Sequence, residues 1–471
     1  MQFNKLINDF SHSFIRKNFH PLNEGYSHTG SSIFSKFGLG SEDFNNHKTQ
    51  LQNIIFKNRF ILRFSIFLAV FGPATITAMA DNDASGVATY SIAGATLGYP
   101  ILFFLVLTTI MLGITQEMGI RLALVARKGL GDLIREHFGI RISILIFTSL
   151  FIANMGTIIV DFAAIKTTSS MLQIPSVPFI VIIVIISALF VTKGNYRTNQ
   201  RIFLFSTLFY FAYIISAFKA HPNWNLALSN LIVPHGANFT PDYIKNYIII
   251  GLGVLGTTIT PWGQFFISSF AYDKRIETAK LKYSQFETYF GAFLTDFFSF
   301  FMIVATAATL YIHNISLSSG EQAAMAIKPF AGELAGTLFA VGILNAGFIG
   351  IIIVSLSTSY AFSEFFGFSR SLNTSFEKGK IFYIIFFTQL IIAAIISIIP
   401  SVSLFGIVVA SQVLNAMTLP IIFYYLLKLT NKEELMGKYI NNSFQKYFTV
   451  IGAIVIFLAS VFAIAAVIFK F

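Results

Sequence analysis

Long apolar runs follow one another along most of this 471-residue chain, and no other feature constrains its fold as strongly. From Phe64 to Phe471 the runs recur with short polar breaks, and each is about 20 residues long, the length of a helix that crosses a bilayer. Hydrophobic residues make up 55% of the chain and charged residues 11%. That is too little polar surface to cover such a core in water. The sequence therefore predicts an all-α polytopic membrane protein.

The run lengths predict eleven transmembrane helices, of which the first and the sixth are broken in the middle by small and polar residues. Residues 1–60 form a predicted cytoplasmic tail, and residues 61–471 form the transmembrane domain. Apolar residues recur at helical spacing in the tail, which indicates either an amphipathic surface helix or disorder. The predicted spans are 64–98, 100–125, 142–166, 174–192, 202–218, 243–271, 288–312, 333–362, 381–400, 403–427 and 448–469.

The distribution of basic residues predicts the orientation of these spans. With the N-terminus in the cytoplasm and the C-terminus outside, 27 of the 32 lysine and arginine residues fall in the tail or in inner loops, as the positive-inside rule requires. This bias also accounts for the net charge of +11, so we expect a lipid bilayer as partner and no nucleic acid. We expect a bacterial inner (plasma) membrane as the location.

The absence of cysteine limits the chemistry that the chain can perform. With no Cys in the sequence, disulfides, thiolate metal sites and cysteine nucleophiles are excluded. The spans also contain no histidine cluster and no pair of nucleophile and base. We therefore expect a protein that is not an enzyme and that carries no cofactor.

The segment MADNDASGVATY, from Met79 to Tyr90, places Asp81 and Asp83 in the middle of the first span. In a continuous helix each carboxylate would face hydrocarbon at a cost of about 2.5–3.5 kcal/mol or more. Such residues are retained where they face a cavity and serve a function. The segment therefore predicts a break in the helix and a polar site beside it.

The sixth span has a matching interruption at Pro261 and Gly263, since proline removes a backbone donor and glycine weakens the helix. Similar runs precede the two breaks: ATIT at residues 74–77 and TTIT at residues 257–260. Interrupted spans at corresponding positions of two halves indicate an inverted-repeat transporter with its substrate site at the midplane. We expect the LeuT-type arrangement, in which spans 1–5 and 6–10 form the two repeats.

The run GPATITAMADNDASGVATYSIAGATLGY resembles the first helix of the NRAMP divalent-metal transporter family. The family's Asp-Pro-Gly-Asn segment aligns with residues 83–86, so the resemblance implies that Asp83 is a metal ligand and that Gly86 has lost an asparagine ligand. In the sixth span, Thr260 stands where the family has a methionine ligand, and Trp262 stands where it has a histidine linked to proton movement. The proline between them is kept.

Two further segments are similar to those of the same family. In IVDFAAIKT, Asp161 matches the first carboxylate of the family's Thr-Asp-Leu-Ala-Glu segment, and Ala164 replaces the second. In VVASQVLNAMTLP, Gln412 matches the family's amide. At Thr260 the chain lacks the family's soft methionine ligand, and at Trp262 it lacks the histidine linked to proton movement. The loss of the soft ligand favours hard ions such as Mg²⁺. These departures resemble the branch called NRAMP-related magnesium transporters, and the resemblance implies transport of Mg²⁺ and Mn²⁺ without obligatory proton coupling.

The predicted metal site combines groups from both breaks. We expect Asp83 to coordinate the ion, together with the Ala80 carbonyl, freed where the helix unwinds, and the hydroxyls of Thr257 and Thr260. Loss of side-chain volume at Gly86 and Thr260 is expected to make room for a partly hydrated ion. Three interpretations of Asp81 stay open: it deepens the negative potential, which we favour, it binds through water, or it caps the second half-helix.

Proton coupling requires a relay of ionisable groups, for which Asp161, Glu117 and Asp296 are candidates. For Glu117 we favour an internal ion pair with Arg121, one helical turn away. Asp296 has no partner that the sequence identifies.

Two other functions remain open. One is a proton-coupled Mn²⁺/Fe²⁺ symporter of the ordinary NRAMP type, and the other is an amino-acid or organic-cation carrier with the same fold. The sequence identifies neither the physiological ion nor the oligomeric state.

Overall fold

The computed structural model describes residues 72–471 except 194–201, 204, 316, 318–327, 329–331, 373–374, 400–403 and 470–471. The described residues are helical and contain no strand. The α-helices are α1 (Pro73–Ala80), α2 (Ala84–Leu97), α3 (Leu102–Ala126), α4 (Leu130–Phe138), α5 (Ile140–Met171), α6 (Ser176–Lys193), α7 (Phe211–Lys219), α8 (Trp224–Ser229), α9 (Pro241–Thr258), α10 (Pro261–Asp273), α11 (Leu281–Thr306), α12 (Glu333–Phe366), α13 (Lys380–Ile398), α14 (Leu404–Thr430), α15 (Glu433–Met436) and α16 (Ser443–Phe469). Short 3₁₀ helices cover Tyr99–Ile101, Thr207–Tyr210, Thr278–Lys280 and Gly437–Tyr439, and a π-helical turn covers Ala307–Tyr311.

Nine helices in the described part of the chain are long and apolar enough to cross a membrane. The described parts of the first and fifth predicted spans consist of shorter helices, α1 with α2 and Thr207–Lys219. The count of eleven therefore stays a prediction, as does the orientation. The predicted tail helix lies outside the described residues, as does the predicted boundary at residue 60.

The first span is broken as predicted. Helix α1 begins at Pro73, whose missing amide costs nothing at this position, and it ends at Ala80. In the turn that follows, the amide of Asn82 donates to the Met79 carbonyl at 3.2 Å, and the amide of Asp83 donates to the Ala80 carbonyl at 3.0 Å. These tighter i→i+3 bonds end the helix, and α2 begins after Asp83.

The sixth span is broken at the predicted proline. Helix α9 ends at Thr258 and α10 begins at Pro261. Between them Thr260 is the N-cap, and its hydroxyl accepts a hydrogen bond from the amide of Gly263 at 3.2 Å. The proline and the capping threonine together start a new helix where the old one could not continue.

The broken spans lie at the centre of the bundle. The sixth span is mostly buried within the bundle, whereas α6 and α16 are mostly exposed. Helices α1 and α2 both pack against α11, and α9 packs against α14. The exposed side chains of α6 and α16 are mainly isoleucine, valine, leucine and phenylalanine, which is the surface expected of helices in contact with lipid.

Candidate metal site at the helix breaks

A hydrogen bond joins the two helix breaks. The hydroxyl of Thr260, at the start of α10, donates to Oδ1 of Asp81, which follows α1, at 2.8 Å. The amide nitrogen of Gln116 on α3 donates to Oδ2 of the same carboxylate at 3.3 Å. All three residues are buried, with at most 3% of their surface exposed. Two segments predicted separately from the sequence thus form one polar centre.

Asp83 lies on the other side of the first break and caps α2. Its carboxylate accepts hydrogen bonds from the amide of Gly86 at 2.7 Å and from the hydroxyl of Ser85 at 2.8 Å. A carboxylate at this position satisfies free backbone donors and complements the positive end of the helix dipole. The interpretation of Asp81 as the cap of this half-helix is therefore wrong, because Asp83 occupies that place.

Gln412 reaches Asp83 through one intermediate residue. Its amide nitrogen donates to the Ser85 hydroxyl at 2.8 Å, and Ser85 in turn donates to Asp83. The side-chain oxygen of Gln412 accepts from Asn415 at 3.2 Å. Ser85, which the sequence analysis did not single out, therefore links α14 to the predicted ligand.

Asp161 on α5 lies at the same half-helix terminus. Its Oδ1 accepts from the amide of Ala84 at 3.0 Å, while its Oδ2 is buried without a hydrogen-bond partner. Gly350 on α12 shows how closely the elements approach, since a Cβ there would overlap Oδ2 of Asp161 and would lie 2.7 Å from the Cβ of Asp83. The side chains of Asp161 and Asp83 therefore both pack against Gly350.

Gly86 and Thr257 face each other across the two breaks. A Cβ on Gly86 would lie 3.3 Å from the Thr257 hydroxyl, but also 2.6 Å from the carbonyl oxygen of Asp81. The expectation that the lost asparagine leaves room at Gly86 is therefore wrong for this conformation, because the Asp81 backbone fills that space. The Ala80 carbonyl is also not free, since it accepts the turn hydrogen bond from Asp83.

Asp296 on α11 has a partner that the sequence did not identify. The hydroxyl of Thr109 on α3 donates to its Oδ2 at 2.6 Å, while its Oδ1 is buried without a hydrogen-bond partner. The neighbouring residue Thr295 accepts a hydrogen bond from the side chain of Asn82, in the first break, at 2.9 Å through its main-chain carbonyl. Asp296 therefore lies on the edge of the polar centre at the breaks.

Glu117 belongs to a separate cluster. It forms the ion pair with Arg121 that the helical spacing indicates, with 2.8 Å between Oε1 and Nε. Gln285 and Gln445 donate to its two oxygens, each at 2.7 Å. Both carboxylate oxygens are thus occupied by partners from three helices, which is the pattern of a structural ion pair.

Three residues that sequence analysis missed hold the first broken span in place. Glu287 on α11 accepts from the amides of Gly72 and Thr75 at the start of α1, at 2.6 and 3.0 Å. Asn82 contacts α11 through Thr295 and Ser299. The hydroxyl of Tyr210 lies 2.9 Å from the Asn82 carbonyl and 3.1 Å from the Met79 carbonyl. Of these three, only Glu287 could have been noticed in the sequence, as an acidic residue directly before the predicted seventh span.

The groups at the breaks that could bind a cation would do so through oxygen atoms: they are carboxylates, hydroxyls and main-chain carbonyls. Among the described residues no group of three or more His, Cys, Asp or Glu is placed to hold a metal ion. The arrangement lacks the density of charged ligands typical of a tight resident-metal site.

Known proteins similar to this chain point to one family. The model of the Nramp family, described as natural resistance-associated macrophage protein-like, matches residues 74–466. The divalent metal cation transporter MntH of Yersinia pestis (strain Pestoides F) is 24% identical over 386 residues, which cover 80% of this chain and 90% of that protein. The protein of the same name from Granulibacter bethesdensis is 22% identical, with coverages of 79% and 82%.

Solved structures share the fold. A crystal structure of the Eremococcus coleocola manganese transporter superposes with a TM-score of 0.70 at 20% identity and covers 85% of this chain and 87% of that one. A Na⁺-coupled sialic acid symporter superposes with a TM-score of 0.56 at 14% identity, with coverages of 84% and 89%. The predicted fold class, an all-α membrane protein of the LeuT type with broken helices 1 and 6, is confirmed. With the family model matching most of its length, the chain belongs to the Nramp family.

Proposed function

We propose that this protein carries divalent metal cations across the membrane, with Mg²⁺ as the preferred cargo, Mn²⁺ as a second cargo, and no obligatory coupling to protons. The family and the relatives named divalent metal cation transporters support the type of cargo. The observation that carries the proposal is the contact between Asp81 and Thr260, which joins the two helix breaks with oxygen atoms alone.

The choice of Mg²⁺ over softer metals follows from these donors. Mg²⁺ binds carboxylate, carbonyl and hydroxyl oxygens and releases its water reluctantly, whereas a thioether ligand favours softer transition metals. Position 260 carries a hydroxyl that contacts Asp81, and Asp83 and Thr257 lie beside Gly86. An ion entering here meets hard donors from both repeats. This is also the feature that resembles the magnesium-transporting branch.

The geometry suggests how the ion would be handled. In the structure described here the Asp81 carboxylate is occupied by Thr260 and Gln116. A cation between the breaks competes with the Thr260 hydroxyl for Oδ1 of Asp81, so binding and release of the ion require the two breaks to move relative to each other. This links occupancy to the alternating access expected of the fold. Asp83 stays attached to α2 throughout, as its cap.

The direct test is Mg²⁺ and Mn²⁺ flux into proteoliposomes that contain the purified full chain. Asp83→Ala should abolish flux, because it removes the predicted ligand and the cap of α2. The matched control is Asp242→Ala, which removes an exposed carboxylate at the start of α9. Undiminished Mg²⁺ flux through the Asp83 variant would exclude this site. A folded Asp83 variant is recognised by an unchanged elution volume in size-exclusion chromatography.

A second candidate is the proton-coupled Mn²⁺/Fe²⁺ symporter. Two observations favour it: the manganese transporter of Eremococcus coleocola shares the fold, and Asp161 and Asp296 each have a buried carboxylate oxygen without a partner. An internal pH indicator separates the two candidates. Mg²⁺ entry without acidification supports our proposal, and Mn²⁺ entry with acidification and no Mg²⁺ entry supports the symporter.

The third function considered, an amino-acid or organic-cation carrier, is tested in the same vesicles. Carriers of this fold usually aim a glycine-rich start of a half-helix at a substrate carboxylate, whereas here Asp83 and Asp161 occupy that terminus of α2. Both would repel such an anion. We therefore expect no inhibition of Mg²⁺ entry by an excess of mixed amino acids or organic cations.

The proposed location is a bacterial inner membrane, with the N-terminus in the cytoplasm and the C-terminus outside.

A further inference from the structure

A cavity of about 600 Å³ lies at one end of the bundle, between α4 and the ends of α14 and α16 that face it. It is remote in sequence from both helix breaks and shares no lining residue with the candidate metal site. Its walls combine basic and apolar side chains. The lining residues are His137, Phe138, Tyr424, Leu427, Lys428, Leu429, Asn431, Lys432, Lys446 and Val450.

The charged side chains that line the cavity are all basic. Three lysines line it, and its lining contains no acidic side chain. Lys432 pairs with the exposed Glu434 at 3.3 Å, and the Lys428 ammonium lies over the Tyr424 ring at 5.7 Å from its centre. Among the described residues, no carboxylate lies within ion-pair distance of Lys428 or Lys446. The positive charges of Lys428 and Lys446 therefore face the cavity without a neutralising carboxylate among the described residues.

The position of these lysines fixes the depth of the cavity in the membrane. Lys428 lies in the last turn of the apolar helix α14, and Lys446 lies in the first turn of the apolar helix α16. Helix ends of this kind lie at the boundary between hydrocarbon and headgroups. Leu427 and Val450 line the cavity from the same helices, so its wall becomes apolar toward the hydrocarbon. By the positive-inside rule this is the cytoplasmic leaflet.

We propose that this cavity binds the headgroup of an anionic phospholipid, with an acyl chain lying along α14 and α16. Basic pockets between helices on the cytoplasmic side are suited to anionic headgroups. A lysine ammonium binds phosphate oxygens as a compact charge, and Asn431 and His137 add polar contacts at the rim. The apolar wall favours a lipid over free phosphate, because a free anion gains nothing from Leu427 or Val450.

Native mass spectrometry of the purified full chain tests the proposal. Phosphatidylglycerol and phosphatidylcholine with matched acyl chains are the probes, and the triple variant Lys428→Gln, Lys432→Gln, Lys446→Gln is compared with the parent. We expect the tightest phosphatidylglycerol adduct to be lost in the triple variant. Each lysine should contribute about a fivefold change in affinity, which corresponds to about 1 kcal/mol per basic residue. Phosphatidylcholine should show no such adduct.

A matched control removes the same charge elsewhere at the same end of the bundle. Lys282, Lys378 and Lys380 are exposed and lie outside the cavity, so the variant with Gln at these three positions should keep the adduct. Equal loss in both triple variants would overturn the proposal, since it would show diffuse attraction. Inorganic phosphate that displaces the lipid equally well from the parent would also overturn it. If the Gln variant does not fold, replacing the same three lysines by arginine should preserve binding, and loss of the adduct there would contradict the role of charge.

Discussion

The hydroxyl of Thr260 serves both helix breaks. It accepts from the amide of Gly263 as the cap of α10 and donates to Asp81 as the contact between the repeats. A residue with these two bonds contributes to stability as well as to the donor set. Its replacement therefore has two separable effects, one on the helix and one on the choice of ion.

Thr260→Met should shift ion preference from Mg²⁺ toward Mn²⁺ or Cd²⁺, because the thioether adds a soft ligand. The same change removes the cap of α10, at a cost of about 1 kcal/mol, and leaves Oδ1 of Asp81 without its donor. Thr260→Ser keeps the hydroxyl and is the matched control, for which we expect the selectivity of the parent. Competition between Mg²⁺ and Mn²⁺ or Cd²⁺ for uptake into proteoliposomes measures the shift. An unchanged preference in the methionine variant would mean that position 260 does not line the ion path.

Individual residues differ in how far the sequence predicted their roles. The breaks at Asp83 and Pro261 were predictable, because acidic residues and proline act on the helix that contains them. The contact between Thr260 and Asp81 was not, because it joins residues 179 positions apart and leaves no local pattern. The same holds for Glu287, whose partner amides lie more than 200 residues away.

At the scale of elements, a third polar cluster, around Glu364, joins helices at the predicted cytoplasmic end. Glu364 near the end of α12 is fully buried and accepts from Ser269 on α10 at 2.6 Å and from the amide of Gly131 at the start of α4 at 2.9 Å. Arg370, in the segment after α12, pairs with Glu364 at 3.1 Å and also with Asp132 of α4. The cluster fixes the second half of the broken sixth span to its neighbours.

Arg370→Met should destabilise the protein strongly, by about 3 kcal/mol or more, because it leaves the Glu364 carboxylate buried without its cation. The double variant Glu364→Gln, Arg370→Met removes both charges and should lose less stability than the single variant. Thermal unfolding of the detergent-purified chain, followed by the loss of soluble monomer, measures both. Equal losses in the single and double variants would indicate that solvent screens the pair and that the cluster does not hold the elements together.

At the scale of the whole molecule, each broken span is secured by a cap of its own, Asp83 or Thr260, and by carboxylates from other helices. The first broken span is held by carboxylates from other helices, Glu287 at the start of α1 and Asp161 at the start of α2. The second is held by its own cap at Thr260 and by the cluster around Glu364 through Ser269. Glu287 on helix α11 of the seventh span and Glu364 on helix α12 of the eighth also contact the first repeat, at the start of α1 and at the start of α4. Rocking of one repeat against the other therefore changes these contacts as well as the contact where the breaks meet.

The orientation of the whole molecule gives the last prediction. Lysine and arginine collect at the end of the bundle that carries the segments 127–141, 274–282 and 428–446, and the positive-inside rule predicts that this end faces the cytoplasm. Because the chain contains no Cys, single cysteines report accessibility without prior removal of native ones. Asn238→Cys, before α9, should react with a membrane-impermeant maleimide in intact cells, and Glu377→Cys, before α13, should react only after permeabilisation. Both positions are exposed in the structure, so burial does not explain a difference between them. The opposite pattern would reverse the orientation and would place the basic cavity in the outer leaflet, and labelling of both residues in intact cells would contradict the assignment of spans 6–8.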